Sequence, residues 1–173
     1  GCMDTLACNF SSEANMDNDS CYYAADYYDC YGSFTPEIGD LIEGGIVFFI
    51  DSTGQHGLVA ALIDLEDKYQ WGCYESYVDG SDGQIIGTGL SNTIDIISQG
   101  CLTVNGEISA AQASLNYENE GFDDWYLPSK NELLELFNVL ETLNLQDDIS
   151  GIYPDWYWTS SEDYADRAWL VYY

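Results

Sequence analysis

Unbroken hydrophobic runs separated by turn residues mark the first strands that the sequence predicts. Gly45–Ile50 reads GIVFFI, which is typical of a buried strand. Residues 51–57 are polar and glycine-rich and predict a turn, and the apolar run 58–63 predicts the partner strand. The pattern therefore indicates a β-hairpin that contributes to a core.

Apolar residues spaced three and four apart predict two helices. Ser129 and Glu132 form the Ser-x-x-Glu pattern of a capping box, and Pro128 just before them favours an extended entry. The following apolar residues share one helical face: Leu133, Leu136, Phe137 and Leu140. A second helix is predicted over residues 107–117, which are rich in helix formers.

The remaining pattern predicts loops and two late strands. Residues 79–92 are rich in Gly, Ser and Asp and predict a long surface loop. Near the end, the aromatic-rich segments 156–159 and 168–173 predict strands. The acidic and polar stretch 160–167 between them predicts a second loop.

The first 34 residues follow a different pattern from the remainder. They are rich in Cys, Asp, Asn and Tyr and show neither helical nor strand periodicity, so they cannot build an apolar core of their own. We therefore expect a small disulfide-stapled module at 1–34 and a globular domain at 35–173. The cysteines available in the small module are Cys2, Cys8, Cys21 and Cys30. Four cysteines allow three pairings, and the sequence does not choose among them.

The cysteine content indicates an oxidising environment. The chain has six cysteines, an even count, and Cys73 and Cys101 are the two that belong to the larger segment. A bond between these two would close the loop that they bracket. Disulfides predict a secreted, extracellular or cell-surface protein with no free thiol. The longest apolar runs are too short to span a bilayer, so membrane insertion is not expected.

The charge of the chain restricts its partners. It has 3 Lys and Arg residues against 31 Asp and Glu residues, a formal net charge of −28. Nucleic acids and anionic membranes would repel such a protein. Self-repulsion also opposes a compact state unless cations screen it, either as bound Ca²⁺ or in a saline medium.

One short segment has the alternating oxygen donors that Ca²⁺ prefers. Asn15, Asp17 and Asp19 repeat at a spacing of two, by which one loop can turn several oxygens toward a hard cation. The glycine and the distant glutamate of a complete EF-hand loop are missing. The sequence thus predicts a calcium ligand set, with a simple Asx-rich turn as the alternative.

Three ordered motifs in the second half of the chain resemble a bacterial family. They are Asp124-Trp125-Tyr126-Leu127-Pro128-Ser129 with Glu132-Leu133, Tyr157-Trp158-Thr159-Ser160-Ser161-Glu162, and Ala168-Trp169-Leu170-Val171-Tyr172. Residues 38–173 look like the family named after the C-terminal domain of a collagen-like bacterial adhesin. That family is similar to C-type lectin-like folds, which include formylglycine-generating enzymes and hypervariable ligand-binding proteins. The first 34 residues resemble a short cysteine repeat of large secreted bacterial proteins.

The resemblance implies an α+β fold, a C-type lectin-like domain with two helices on twisted antiparallel sheets. It also implies a ligand face within residues 157–172. The polar and aromatic residues expected to contact a glycan or protein there are Tyr157, Glu162, Asp163, Tyr164, Asp166 and Arg167. The alternative is that Trp158 and Trp169 belong to the core and that the loop is merely solvated.

These features together predict a non-catalytic module for adhesion and ligand recognition. An enzyme is not expected, because the single histidine, His56, has no nucleophile motif near it. The cysteine pair of the formylglycine-generating enzymes has no counterpart after Cys101. Family members usually continue past the third motif with more strand, so we expect either a truncated domain or an open sheet edge. Self-association through the C-terminal strand, as in a subunit of a surface filament, is the alternative function.

Overall fold

Three helices and two small antiparallel sheets make up the part of the chain that the computed structural model describes, residues 1–145, 151–165 and 167–173. The predicted mixture of helix and sheet is confirmed, although the structure has one helix more than the two predicted. No helix within those ranges is long and apolar enough to cross a membrane.

The first sheet contains the predicted hairpin. Strands β1 (Leu41–Ile42), β2 (Gly45–Ile50) and β3 (Gly57–Ala61) lie in that order, and both pairings are antiparallel. The register between β2 and β3 shifts between Val47 and Phe49. In the connecting turn the Asp51 carboxylate accepts hydrogen bonds from the backbone N–H and the hydroxyl of Thr53.

Helices α2 and α3 lie where the periodicity placed them. Helix α2 (Ala110–Leu115) is shorter than predicted, and Ser109 caps it by accepting from the Gln112 N–H at 3.3 Å. Helix α3 (Lys130–Thr142) has the predicted capping box, in which Glu132 accepts from the Ser129 N–H at 2.8 Å. Its predicted apolar face is buried.

Helix α1 (Gly89–Ser98) corrects the end of the predicted loop over residues 79–92, because 89–92 are helical whereas 79–88 contain neither helix nor strand. Its N-cap residue Thr88 makes no side-chain capping bond. The Glu132 carboxylate of α3 instead accepts from the N–H groups of Gly87 at 2.7 Å and Gly89 at 3.3 Å. A Cβ at position 89 would overlap that carboxylate, so the close approach requires glycine.

The second sheet corrects the prediction of a polar loop at residues 160–167. Strand β4 (Trp156–Tyr164) pairs antiparallel with β5 (Arg167–Tyr172), so the strand continues through most of the acidic stretch. Ser160, Ser161 and Glu162 are buried there because other segments bind their polar groups. The Ser161 hydroxyl donates to the Gly83 carbonyl at 2.6 Å, and the Ser160 N–H donates to the Pro128 carbonyl at 2.7 Å.

The β4–β5 hairpin lies across two separate apolar clusters. The first joins β2, α3 and β5 and includes Ile46, Leu140 and Val171. The second joins Trp71, α1 and α2 and is completed by Trp158 and Ala168 of the hairpin. Tyr157 and Val171, on the inner side of the hairpin, contact the first cluster, whereas Trp158 and Ala168, on the other side, contact the second.

Three disulfides confirm the prediction that the cysteines are paired. Cys2 bonds Cys21 and Cys8 bonds Cys30, which settles the pairing within the first 34 residues, and Cys73 bonds Cys101. Among the hydrophobic residues of that N-terminal segment, those buried are Cys2 and Ala7. The segment thus depends on its two cross-links rather than on an apolar core.

Candidate functional site

Three of the predicted ligand residues form an exposed cluster at the turn of the β4–β5 hairpin. The Arg167 guanidinium lies 2.8 Å from the Asp163 carboxylate and 4.4 Å from the centre of the Tyr164 ring. Tyr164 is half exposed. This cluster presents one aromatic ring and a paired guanidinium to solvent, while Asp166 lies outside the described residues.

Glu162 and Tyr157 lie apart from that cluster. Glu162 is buried, and its carboxylate oxygens accept from the Val78 N–H at 3.2 and 3.1 Å. Desolvation by burial raises the pKa of this carboxyl, and the Val78 hydrogen bond partly offsets the rise. Tyr157 lies toward the other end of β4, paired with Val171, and packs on the first apolar cluster. The predicted residues therefore do not form one continuous surface.

A different set of apolar residues shares one side of the hairpin, which we call the outer hairpin face; three of them are exposed, and Trp158 is half-buried against the second apolar cluster. It consists of Trp156, Trp158, Leu170 and Tyr172. Trp156 pairs with Tyr172 and Trp158 pairs with Leu170, so all four lie on the same side of the two strands. Trp156 is 62% exposed and Tyr172 is 58% exposed, and their ring centres lie 5.3 Å apart.

A groove with a volume of about 240 Å³ adjoins this face, and we call it the disulfide groove. Trp158, Arg167 and Ala168 line it from the hairpin. The residues that line it from the opposite side include Tyr74, Leu102 and Val104, which are all exposed. The groove and the outer hairpin face share Trp158, so the two form one continuous apolar region.

Covalent and hydrogen bonds hold this region in place. Tyr74 directly follows Cys73, and Leu102 directly follows Cys101, so the Cys73–Cys101 disulfide ties the two wall residues together. The Trp158 indole N–H donates to the Tyr69 carbonyl at 3.1 Å. These bonds fix the positions of Tyr74, Leu102 and Trp158 relative to one another.

Sequence reasoning identified the hairpin but not the walls of the groove. Tyr74, Leu102 and Val104 lie in segments without helical or strand periodicity, so no pattern marked them. The one usable signal was that Tyr74 and Leu102 directly follow two cysteines that were expected to pair. Such neighbours must lie close together once the bond forms.

The proposed calcium ligands lie exposed in the N-terminal segment. Asp17 accepts a hydrogen bond from the Asp19 N–H at 2.9 Å, and Asp19 has a φ of 57°. This is the geometry of an Asx turn, the alternative stated for these residues. Within the described ranges no group of three or more Asp, Glu, His or Cys side chains could hold a metal ion. Calcium binding by Asn15, Asp17 and Asp19 therefore stays a prediction.

A larger cavity of about 300 Å³ lies on the other side of the hairpin. It is enclosed by β3, α3 and the segment 122–128, with Tyr157 of β4 in its wall. Its aromatic lining residues are Phe48, Tyr117, Phe122, Trp125, Tyr126, Phe137 and Tyr157. We call it the aromatic cavity.

Comparison of the chain with protein-family models, with curated proteins and with solved structures gave no match.

Proposed function

We propose that the protein is a non-catalytic module of an extracellular or cell-surface protein, which recognises a partner through the outer hairpin face and the disulfide groove. The observation that carries this proposal is an exposed surface of large apolar side chains on a highly acidic protein. Its most exposed members are Val104, Tyr74, Trp156, Tyr172 and Leu102. The C-type lectin-like fold and the two-module division at residue 34 are parts of the same proposal.

The chemistry of the surface favours adhesion over catalysis. Contiguous exposed apolar patches on soluble proteins mark sites of interaction. Tryptophan and tyrosine rings bury large areas at a small loss of conformational entropy, which makes them effective anchors. The three disulfides fit a protein that works outside the cell. His56, the candidate proton carrier in the sequence, is exposed in the β2–β3 turn, away from the groove.

A protein surface is the partner that the groove supports best, and a glycan is the alternative. Aliphatic Leu102 and Val104 share the groove with the aromatic rings, and such a mixture matches the apolar centre of a protein interface. Sugar rings also stack on exposed tryptophan, but they need several polar side chains around it. The net charge of −28 favours a basic partner, because opposite charges accelerate encounter.

The test compares variants of the outer hairpin face in two binding assays. The labelled protein is applied to a glycan array and to immobilised extracellular material from the source cells, at physiological salt. Replacing both Trp156 and Tyr172 by Ala should weaken binding to the recognised partner at least about tenfold, since central aromatic anchors each contribute more than 1 kcal/mol.

The matched control is Tyr31→Ala, which removes an aromatic residue that is 94% exposed in the N-terminal segment. This variant should bind as the unmodified protein does. Equal binding by all three proteins would refute the assignment of the hairpin as the recognition surface. Binding confined to the glycan array would replace the protein partner by a glycan.

A second candidate function is supported by the free edge of the sheet. Within the ranges that the structure describes, β5 pairs with β4 on one side and with no strand on the other. An unpaired strand edge with exposed apolar side chains is a template for another strand. A subunit that adds strands between copies, as in a surface filament, would use this edge.

A further inference from the structure

The aromatic cavity has room for a small ligand. Its volume of about 300 Å³ lies at the lower end of the range for small-molecule sites, and most of its lining is apolar. The cavity reaches the surface, because the lining includes the exposed residues Glu43, Ile63 and Asp124. It is distinct from the outer hairpin face, since Tyr157 enters its wall from the inner side of β4.

The charged groups of the cavity all have the same sign. Its lining contains four carboxylates and no Lys, Arg or His side chain. They are Glu43, Asp64, Asp124 and Glu132. A ligand that complements this lining has a positive charge and an apolar body.

The Glu132 carboxylate already accepts hydrogen bonds from the backbone. Its two oxygens accept from the backbone N–H groups of Gly87, Gly89 and Ser129 at 2.7, 3.3 and 2.8 Å. A carboxylate with three such donors has its charge compensated by the protein itself. It is therefore a structural group and not an anchor for a ligand.

The Asp64 carboxylate has fewer hydrogen-bond donors around it than the Glu132 carboxylate. It is half-buried, its Oδ2 atom lies 2.8 Å from the Tyr157 hydroxyl oxygen, and Lys68 nearby is paired with Asp155 at 2.7 Å. Burial raises the pKa of the Asp64 carboxyl, and the hydrogen bonds from the Tyr157 hydroxyl and the Tyr153 N–H only partly oppose this. A positive charge in the cavity would stabilise the ionised carboxylate.

The Tyr157 hydroxyl has two oxygen acceptors within reach, the Asp64 carboxylate and the Tyr153 carbonyl. The hydroxyl oxygen accepts from the Tyr153 N–H at 3.0 Å. It also lies 2.7 Å from the Tyr153 carbonyl and 2.8 Å from the Asp64 carboxyl. One hydroxyl hydrogen can serve only one of these two oxygens. When this hydrogen points to the Tyr153 carbonyl, the Asp64 carboxylate lacks that donor, and a cation in the cavity would compensate its charge.

Aromatic rings supply the other part of an ammonium site. Trp125 and Tyr117 pack edge to face at 5.7 Å between ring centres, and both line the cavity with Tyr126. The faces of such rings attract cations that have lost part of their hydration. From the cavity, its carboxylates and its rings together, we infer that the aromatic cavity binds a small alkylammonium ligand whose charge is held by Asp64.

The test measures binding of choline and of its neutral isostere 3,3-dimethylbutan-1-ol by isothermal titration calorimetry. The two probes have the same shape and differ in charge. Choline should bind saturably, at least about tenfold more tightly than the isostere, because both Coulomb attraction and cation–π contacts require the charge. N-acetyl-lysine-N-methylamide is a third probe. Tighter binding of this probe than of choline would identify a protein side chain as the source of the ammonium group.

Two variants locate the site. Asp64→Asn keeps the size of the side chain and should weaken choline binding about tenfold, with a smaller effect on the isostere. Asp26→Asn makes the same change of net charge in the N-terminal segment and should leave binding unchanged. Near-ultraviolet circular dichroism of each variant verifies that it is folded.

Three results would overturn the inference. They are equal affinity for choline and the isostere, choline binding that Asp64→Asn leaves unaltered, and no saturable binding of any ammonium probe up to about 100 mM, where specific binding would be negligible. None of these results touches the proposed recognition surface, because Trp156 and Tyr172 do not line the aromatic cavity.

Discussion

Asp64 and Glu132 line the same cavity, yet the protein treats their charges in opposite ways. Glu132 has no exposed surface and accepts three backbone N–H groups. Asp64 is partly exposed and lies against the Tyr157 hydroxyl, which has a second acceptor, the Tyr153 carbonyl, beside it. Burial raises the pKa of Asp64 despite the hydrogen bonds from Tyr157 and Tyr153, so Asp64 is a carboxyl of this cavity whose ionisation opposes folding.

Replacing Asp64 by Asn should therefore change stability in a pH-dependent way. Burial raises the pKa of Asp64, so the folded state bears the cost of its charge at neutral pH. That cost disappears as the pH falls through the raised pKa toward the ordinary value of about 4. Asp64→Asn should be most stable relative to the unmodified protein near pH 7, and the difference should vanish near pH 4. Urea unfolding at several pH values measures it.

Asp51→Asn is the control, because its effect on stability should have the opposite sign to that of Asp64→Asn. The Thr53 hydroxyl donates to the Asp51 carboxylate and lowers the pKa of that carboxyl. Its stabilising contribution is present above the ordinary pKa and is lost as the pH falls through the lowered one. Asp51→Asn should thus be destabilised at neutral pH and approach the unmodified protein in acid. A pH-independent difference for Asp64→Asn would show that its ionisation has no effect on folding.

At the scale of elements, Glu132 connects two helices that are distant in sequence. One of its oxygens completes the capping box of α3, and the other caps the first turn of α1. A negative charge at a helix N-terminus also interacts favourably with the helix dipole. The two helices should therefore depend on this one side chain.

Two substitutions in the capping box separate its local role from its role between helices. Ser129→Ala removes the acceptor of the Glu132 N–H and should cost about 1 kcal/mol of unfolding free energy. Glu132→Gln should cost more, about 2 to 3 kcal/mol, because the amide group turns a donor toward a backbone N–H. Glu135→Gln makes the same charge change in α3 and serves as the control. Equal losses for Ser129→Ala and Glu132→Gln, measured by urea unfolding, would mean that α1 does not rely on Glu132.

The difference between local contacts and contacts between residues distant in sequence explains which elements the sequence could predict. The capping box of α3 and the apolar run of β2 have their signals within a few residues, and both were placed correctly. Helix α1 receives its cap from Glu132, 43 residues after Gly89, and no local pattern records that contact. Its first residues, 89–92, therefore showed only the composition of a loop.

The candidate site was predicted in part for a similar reason. The hairpin was placed correctly, but its Ser160, Ser161 and Glu162 read as solvated residues, because their partners lie 31 to 84 residues away. A polar side chain is expected to be exposed when no hydrogen-bond partner for it is known, and the partners of these three residues could not be identified from the sequence. The aromatic cavity required the fold itself, since β3, α3 and the segment 122–128 meet only in three dimensions.

On the scale of the whole molecule, the rare positive charges are concentrated around the hairpin. Lys68 pairs with Asp155, and Arg167 pairs with Asp163. The Lys130 ammonium lies 3.3 Å from the centre of the Trp169 ring. All three cations of the chain therefore contact residues of the hairpin or its entry, which leaves the remaining surface strongly acidic.

This charge distribution sets the conditions under which copies of the protein could associate. A net charge of −28 keeps molecules apart at low ionic strength. The repulsion fades as the Debye length falls to about 10 Å at 0.1 M salt and about 3 Å at 1 M. The hydrophobic contribution of Leu170 and Tyr172 at the free edge of β5 does not fade with it, so association through this edge should increase with salt.

Substitution of Leu170 by Lys distinguishes contact through the β5 edge from a general loss of repulsion. A lysine on an edge strand blocks strand addition, yet it also makes the net charge less negative. If repulsion alone controlled association, Leu170→Lys would associate more readily than the unmodified protein. If copies associate through the β5 edge, the Leu170→Lys variant should remain monomeric in light scattering at 1 M NaCl, where the unmodified protein forms oligomers or filaments.

Leu6→Lys, at a residue 81% exposed in the N-terminal segment, makes the same charge change and should still associate. Measurement in CaCl₂ and NaCl of equal ionic strength separates screening from specific calcium binding. An unmodified protein that stays monomeric in both salts would exclude the filament and leave the solitary recognition module.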